Sequence, residues 1–104
     1  VTYGDFWLRY LRAHRDPRTR AVHYAGTVLS FACLIAAVVL LDWRFLILAP
    51  IVGYSAAWAS HFGIEHNKPE TFGHPLWSLV SDYRMCALFF AGRLRPHLQR
   101  AGIA

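Results

Sequence analysis

From Tyr24 to Leu41 the chain runs eighteen residues without an acidic or basic side chain. Wound as a helix, that stretch is about 27 Å long at about 1.5 Å per residue, close to the hydrocarbon thickness of a bilayer. Asp16 and Pro17 just upstream suit a helix cap and first helical position, which predicts one helix from Pro17 to about Leu41. Asp42-Trp43-Arg44 then interrupts with charge and an interfacial Trp, and is short enough to force an antiparallel return. A second spanning helix follows, from about Phe45 to Glu65, with Pro50 kinking it without ending it. Small residues recur four apart, as Gly26/Ser30 and Ala32/Ala36 on the first helix of this hairpin and Gly53/Ala57 and Ala56/Ser60 on the second. That spacing lets two membrane helices approach closely.

The flanks read differently. Tyr3, Phe6, Trp7, Tyr10, Leu11 and His14 keep a helical apolar rhythm, with Asp5, Arg9 and Arg12 on the other face, and Thr2 with Asp5 looks like a helix start. After a loop holding Asn67, Pro69, Gly73 and Pro75, a fourth helix is expected from about Leu76 to Leu94. A full span there would bury Asp82 and Arg84 in lipid, so it is read as lying in the interface. The expected fold is therefore all-α: an integral membrane four-helix bundle over residues 1–104 as a single domain. Its two-helix transmembrane hairpin is flanked by two amphipathic interfacial helices. No cleavable signal peptide is apparent, because polar and aromatic residues with five Arg precede the first apolar run.

Charge orients the hairpin. Ten Arg and one Lys give a formal net charge of +5. Five Arg lie at or before residue 20, five Lys/Arg lie from Lys68 onward, and Arg44 alone occupies the turn. Both termini are expected on the cytoplasmic side. The basic residues flank apolar runs and form no stripe of their own, so membrane lipids, and not nucleic acid, are the expected partners. Cys33 and Cys86 lack a partner motif and read as buried thiols.

The hairpin also decides which of the six histidines can meet. His23 precedes the first apolar run and His61 ends the second. Measured from the turn they lie about 28 and 26 Å away along their helices, which returns both imidazoles to one depth. His14, just upstream of the Asp16-Pro17 corner, belongs to the same end, and Glu65 is four residues past His61. Three imidazoles and a carboxylate at the lip of an apolar bundle suit a first-row divalent metal with positions left open. Each histidine taken alone is explained better by a hydrogen bond to a carbonyl or headgroup; it is their convergence with a Glu that favours the metal. His66 and His74 read as solvated loop residues, His97 as a surface residue and Glu70 as solvent-exposed. Asp82 pairs either with Arg84 or, as a supporting carboxylate, with a metal-bound His. Arg18 and Arg20 sit where an acidic headgroup would lie, and anchoring to anionic lipid explains them without any substrate.

At these residues the chain resembles the family of membrane proteins that includes the fungal 2-hydroxy fatty acid dioxygenase of phytosphingosine breakdown. The motifs that carry the resemblance are HRDPRTRAVH from His14 to His23, with Gly26-Thr27 after it; SHFGIEHNKP, holding His61, Glu65, Asn67 and Pro69; and HPLWSLVSDYRM from His74 to Met85, with Gly92-Arg93 after it. It runs from about Phe6 to Leu94. After Glu65 the chain reads EHNKPETF, as in the short bacterial-type branch. The resemblance implies a Fe2+-dependent oxygenase that uses O2 to shorten a 2-hydroxy fatty acid by one carbon. It places His14, His23 and His61 at the family's motif histidines, the metal ligands in this reading. Glu65 falls at the family's motif acid, taken as the catalytic carboxylate, with Arg18 and Arg20 on the substrate's acid group. The competing expectation is a non-catalytic lipid- or haem-binding membrane module in which a His pair supplies axial ligands.

Overall fold

The computed structural model describes residues 1–69 and 72–104; the expectation for Glu70 lies outside them. Among the described residues all regular structure is helical: α1 (Tyr3–Arg12), α2 (Pro17–Val39), α3 (Arg44–Ser60), a single π turn (His61–Glu65), α4 (Pro75–Phe90) and α5 (Arg95–Arg100). Each boundary has a local cause. Thr2 and Asp5 form a reciprocal capping box, Asp5 N–H donating to Thr2 Oγ1 and Thr2 N–H to Asp5 Oδ2, both at 3.2 Å. Asp16 caps α2 by accepting the Arg18 amide at 2.8 Å, and Pro17 fills the position where a missing N–H costs nothing. Leu41 turns the hairpin with φ +50°, after which Asp42 accepts the Arg44 amide at 3.1 Å and α3 begins.

α2 and α3 pack along each other and form the long axis of a body 43 × 27 × 27 Å. Gly26 makes this approach possible: a Cβ there would stand 2.5 Å from Ala56 Cβ. Only Gly permits that separation, in keeping with the small-residue spacing of both helices. α2, and α3 continued through the π turn to Glu65, are long and apolar enough to cross a membrane. Their outer faces leave Leu29, Phe31, Ile35, Val38, Ile47 and Ile51 exposed. Just 33 % of the most apolar window of α2 and 22 % of that of α3 is buried. A buried core helix of a water-soluble protein would be covered instead.

The well-packed core lies at the other end. Phe6, Trp7, Tyr10 and Leu11 of α1 meet Tyr24 of α2, Met85 and Cys86 of α4, and Leu94 and Leu98 around α5. Arg84 lies across the Tyr3 and Trp7 rings instead of pairing with Asp82.

Two expectations need correction here. The fourth helix was expected to reach Leu94, but it stops at Phe90 and a fifth helix follows. Gly92 adopts φ +71° and its N–H bonds to Phe89 O, while Arg93 N–H bonds to Leu88 O. This paired closure with a left-handed glycine ends a helix, and Pro96 then fits the first turn of α5. His97 is not a free surface residue. Its Nδ1 accepts the Trp7 indole N–H at 3.1 Å, and its ring stands edge-on to that indole, docking α5 against α1.

Candidate metal centre

Three elements deliver one imidazole each to a common point. His14 follows the last turn of α1, His23 sits in the second turn of α2, and His61 opens the π turn after α3. All three are buried, at 0, 4 and 2 % exposure. His14 Nε2 lies 3.1 Å from His23 Nε2 and 3.0 Å from His61 Nε2.

The opposite ring nitrogens decide what these short distances mean. His14 Nδ1 lies 2.6 Å from the Tyr10 carbonyl oxygen, and His61 Nδ1 lies 2.6 Å from Asn67 Oδ1. His23 Nδ1 lies 3.3 Å from Asp82 Oδ1. Tyr10 O and Asp82 Oδ1 can only accept from a ring N–H, and Asn67 spends its own NH2 on the Ala13 carbonyl at 3.0 Å, so its oxygen faces His61. Each imidazole therefore carries its proton on Nδ1 and aims the Nε2 lone pair inward. Three acceptors facing one another at this spacing form a site that could hold a cation. Two bonds of about 2.1 Å to a first-row metal, at right angles, put their nitrogens roughly 3.0 Å apart. The donor set and spacing fit such an ion, and the three histidines together are able to hold one.

The surrounding charge agrees. Burial, and then the neighbouring His23 and His61, hold the His14 pKa well below the usual imidazole range, so its lone pair stays available. Burial and then the Asp82 carboxylate push Tyr10 well above the usual phenol range. Its hydroxyl therefore stays protonated and donates a hydrogen bond to Asp82. Tyr10 thus supports two histidines at once, His14 through its carbonyl and His23 through Asp82. Nothing in the sequence singled out Tyr10 beyond its place in an apolar stripe, and Asn67 stood out only as part of a motif.

The remaining candidates stand at the rim. Glu65 accepts the Asp16 amide at 2.6 Å, tying the α1–α2 corner to the end of α3. The residue four on from His61 does not stack above it, because the intervening turn is π-wound: the His66 amide bonds back to His61 O across five residues. Arg18 forms an exposed pair with Asp16 at 2.8 Å. Arg20 donates to the His14 and Arg15 carbonyls at 2.7 and 3.0 Å, clamping the corner that presents His14. His66 is exposed, with φ +59°, and His74 stacks on Trp77 at 5.0 Å between ring centres; neither joins the three.

No curated protein and no solved structure matches the chain. The sequence profile of the family described as 2-hydroxy-palmitic acid dioxygenase Mpo1-like matches residues 1–94, a range that holds the three converging histidines and every side chain that orients them. The chain accordingly belongs to the 2-hydroxy-palmitic acid dioxygenase Mpo1-like family.

Proposed function

We propose that this protein is a membrane-embedded, non-haem Fe(II)-dependent dioxygenase that shortens 2-hydroxy fatty acids by one carbon. One observation supports the reading above others: three buried imidazoles converge through Nε2, each with an acceptor beside its own Nδ1. The family's name supplies the substrate class and the reaction. When bound, the ion supplies a redox-active Lewis acid with positions left open for a chelating 2-hydroxy-carboxylate and O2. His14, His23 and His61 hold it. Tyr10, Asn67 and Asp82 keep the three rings in one tautomer and one orientation. Glu65 and Arg20 act as positioning residues by locking the corner between α1 and α2. Arg18 and Arg20 place positive charge beside the site, where the acid group of an amphiphile arrives. The close edge-on packing of three imidazoles leaves no slot for a porphyrin, which counts against the haem-binding alternative.

The exposed apolar faces of α2 and α3 support a bilayer location, with the turn at residues 42–44 at one surface and the histidines at the other. The excess of Arg before residue 21 and after residue 67 supports a cytoplasmic placement of the histidines and both termini. The decisive experiment loads purified protein with Fe(II) anaerobically, adds O2 and 2-hydroxypalmitate, and follows oxygen uptake and the product one carbon shorter. Palmitate should be inert because it lacks one chelating oxygen, and His61→Ala should be inactive. Iron-loaded protein that turns over no 2-hydroxy acid, or that turns over palmitate equally well, refutes the proposal.

A further inference from the structure

A cavity of about 100 Å³ begins against His23 and Asp82 and extends between α2, α3 and α4 over Ser30 and Gly53. Its wall includes Thr27 and Tyr83. The same two residues line a second, wider space of about 250 Å³ between α2 and α4, bounded further out by Phe31, Cys86, Ala87 and Phe90. The two spaces therefore abut at Thr27 and Tyr83. Along α2 the lining positions 23, 27, 30 and 31 keep one face and advance about 12 Å in helix rise. The inner end carries an imidazole and a carboxylate. The outer end is apolar and opens onto the exposed face at Phe31 and Phe90.

The narrow part owes its existence to small side chains. A Cβ on Gly53 would touch Ser30 at 3.6 Å, so the floor between these helices is already closed by the smallest residues available. Such a track, polar at the buried end and oily at the open end, matches one unbranched chain with a polar head. A two-chain lipid is too wide for the inner cavity.

We infer that the slot between α2 and α4 is the acyl-tail site, through which a single-chain lipid acid enters sideways from the bilayer, with Thr27 and Tyr83 forming the neck. This rests on the proposed function for the head group and adds where the tail lies and which residues read its length. Ala87 stands exposed at the outer lip, so a bulky side chain there obstructs the tail without disturbing the buried core.

The test uses the full chain in nanodiscs, loaded with Zn(II) as a redox-silent ion, and a sixteen-carbon 2-hydroxy acid carrying a diazirine at its tenth carbon, the depth that a track of about 12 Å reaches. Light-induced adducts are expected on the peptides holding Phe31 and Phe90 and should disappear when excess 2-hydroxypalmitate competes. Ala87→Trp should weaken competition by 2-hydroxypalmitate at least about tenfold, the loss expected when two or more methylenes leave apolar contact. Competition by 2-hydroxyhexanoate should stay unchanged, which a general folding defect would not allow. Ile47→Trp, on the outer face of α3, is the control for added bulk. Adducts around Leu94 and Leu98, labelling that no acid competes away, or an unchanged chain-length profile in Ala87→Trp would overturn the inference. Turnover measured on Fe(II)-loaded samples separates the two ideas. Competed adducts in the slot without turnover keep the tail site and sink the dioxygenase reading; turnover with adducts elsewhere does the reverse.

Discussion

Asp82 is the point at which the candidate metal centre is most open to quantitative attack. Its side chain is 17 % exposed, and the oxygen that accepts the Tyr10 hydroxyl also lies 3.3 Å from His23 Nδ1. Asp82→Ala strands two buried donors, at about 1–3 kcal/mol each in fold stability. It also frees the His23 ring to rotate. Loss of such an orienting partner lowers metal affinity about 10- to 100-fold, or about 1.4–2.8 kcal/mol. Asp82→Asn keeps the volume and one acceptor oxygen but removes the charge, so it should fall near the tenfold end while the alanine variant falls near the hundredfold end. Tyr10→Phe deletes one donor and leaves the Tyr10 carbonyl on His14, so its effect should be smaller. Because the Tyr10 hydroxyl reaches His23 only through Asp82, the double variant Tyr10→Phe/Asp82→Ala should bind metal no worse than Asp82→Ala alone. Zn(II) or Co(II) titration against a chromophoric chelator reads all four proteins, and helical circular dichroism verifies that each is folded. Wild-type affinity in a folded Asp82→Ala protein would refute the claim that this carboxylate orients a ligand.

His23→Ala or His61→Ala should each abolish stoichiometric metal binding by elemental analysis, since an incomplete ligand shell remains, and His97→Ala should leave it intact. Gly26→Ala should destabilise the α2–α3 contact by about 1–3 kcal/mol in a denaturation assay, because its Cβ would meet Ala56 at 2.5 Å. Gly53→Ala, with a nearest contact of 3.6 Å, should be neutral or slightly stabilising. Burial, and then the Arg100 and Arg84 guanidinium groups, hold His97 below its usual pKa of 6.5, so the unfolded chain takes up that proton before the folded one. The docking of α5 on Trp7 therefore contributes fully above pH 6.5 and weakens as the pH falls below it, so His97→Gln should reduce, in part, the drop in Tm from pH 7.5 to pH 5; the rest comes from buried His14, whose lowered pKa acts with the same sign. A cysteine probe at position 43 should react with an impermeant label added outside the cell and one at position 16 should not; the opposite pattern would invert the placement of the site.

What could be read without coordinates was whatever depends on rise per residue. His23 and His61 stand at matching distances from the turn at residues 42–44, and the antiparallel packing of α2 and α3 brings their rings together. Asp16 and Pro17 likewise announced the corner that returns His14 to the same place. What could not be read depends on winding and rotamer. Glu65 looked like a neighbour of His61 under α-helical spacing, but the π turn rotates it onto the Asp16 amide and brings Asn67 to His61 Nδ1 instead. The end of α4 was in principle visible in Gly92 and Pro96, yet the apolar stripe ran past them and hid it. Tyr10 was hidden for a different reason. Half its contribution is a carbonyl, which any residue would supply four positions before His14, and the other half is a hydroxyl whose acceptor lies 72 positions away. A polar tip inside a buried apolar stripe must still find a partner. Asp82, an acid on a mostly apolar helix, is under the same obligation. Two such residues, each unexplained within its own helix, are most economically explained by each other, and that pairing points from α1 and α4 to His23 between them.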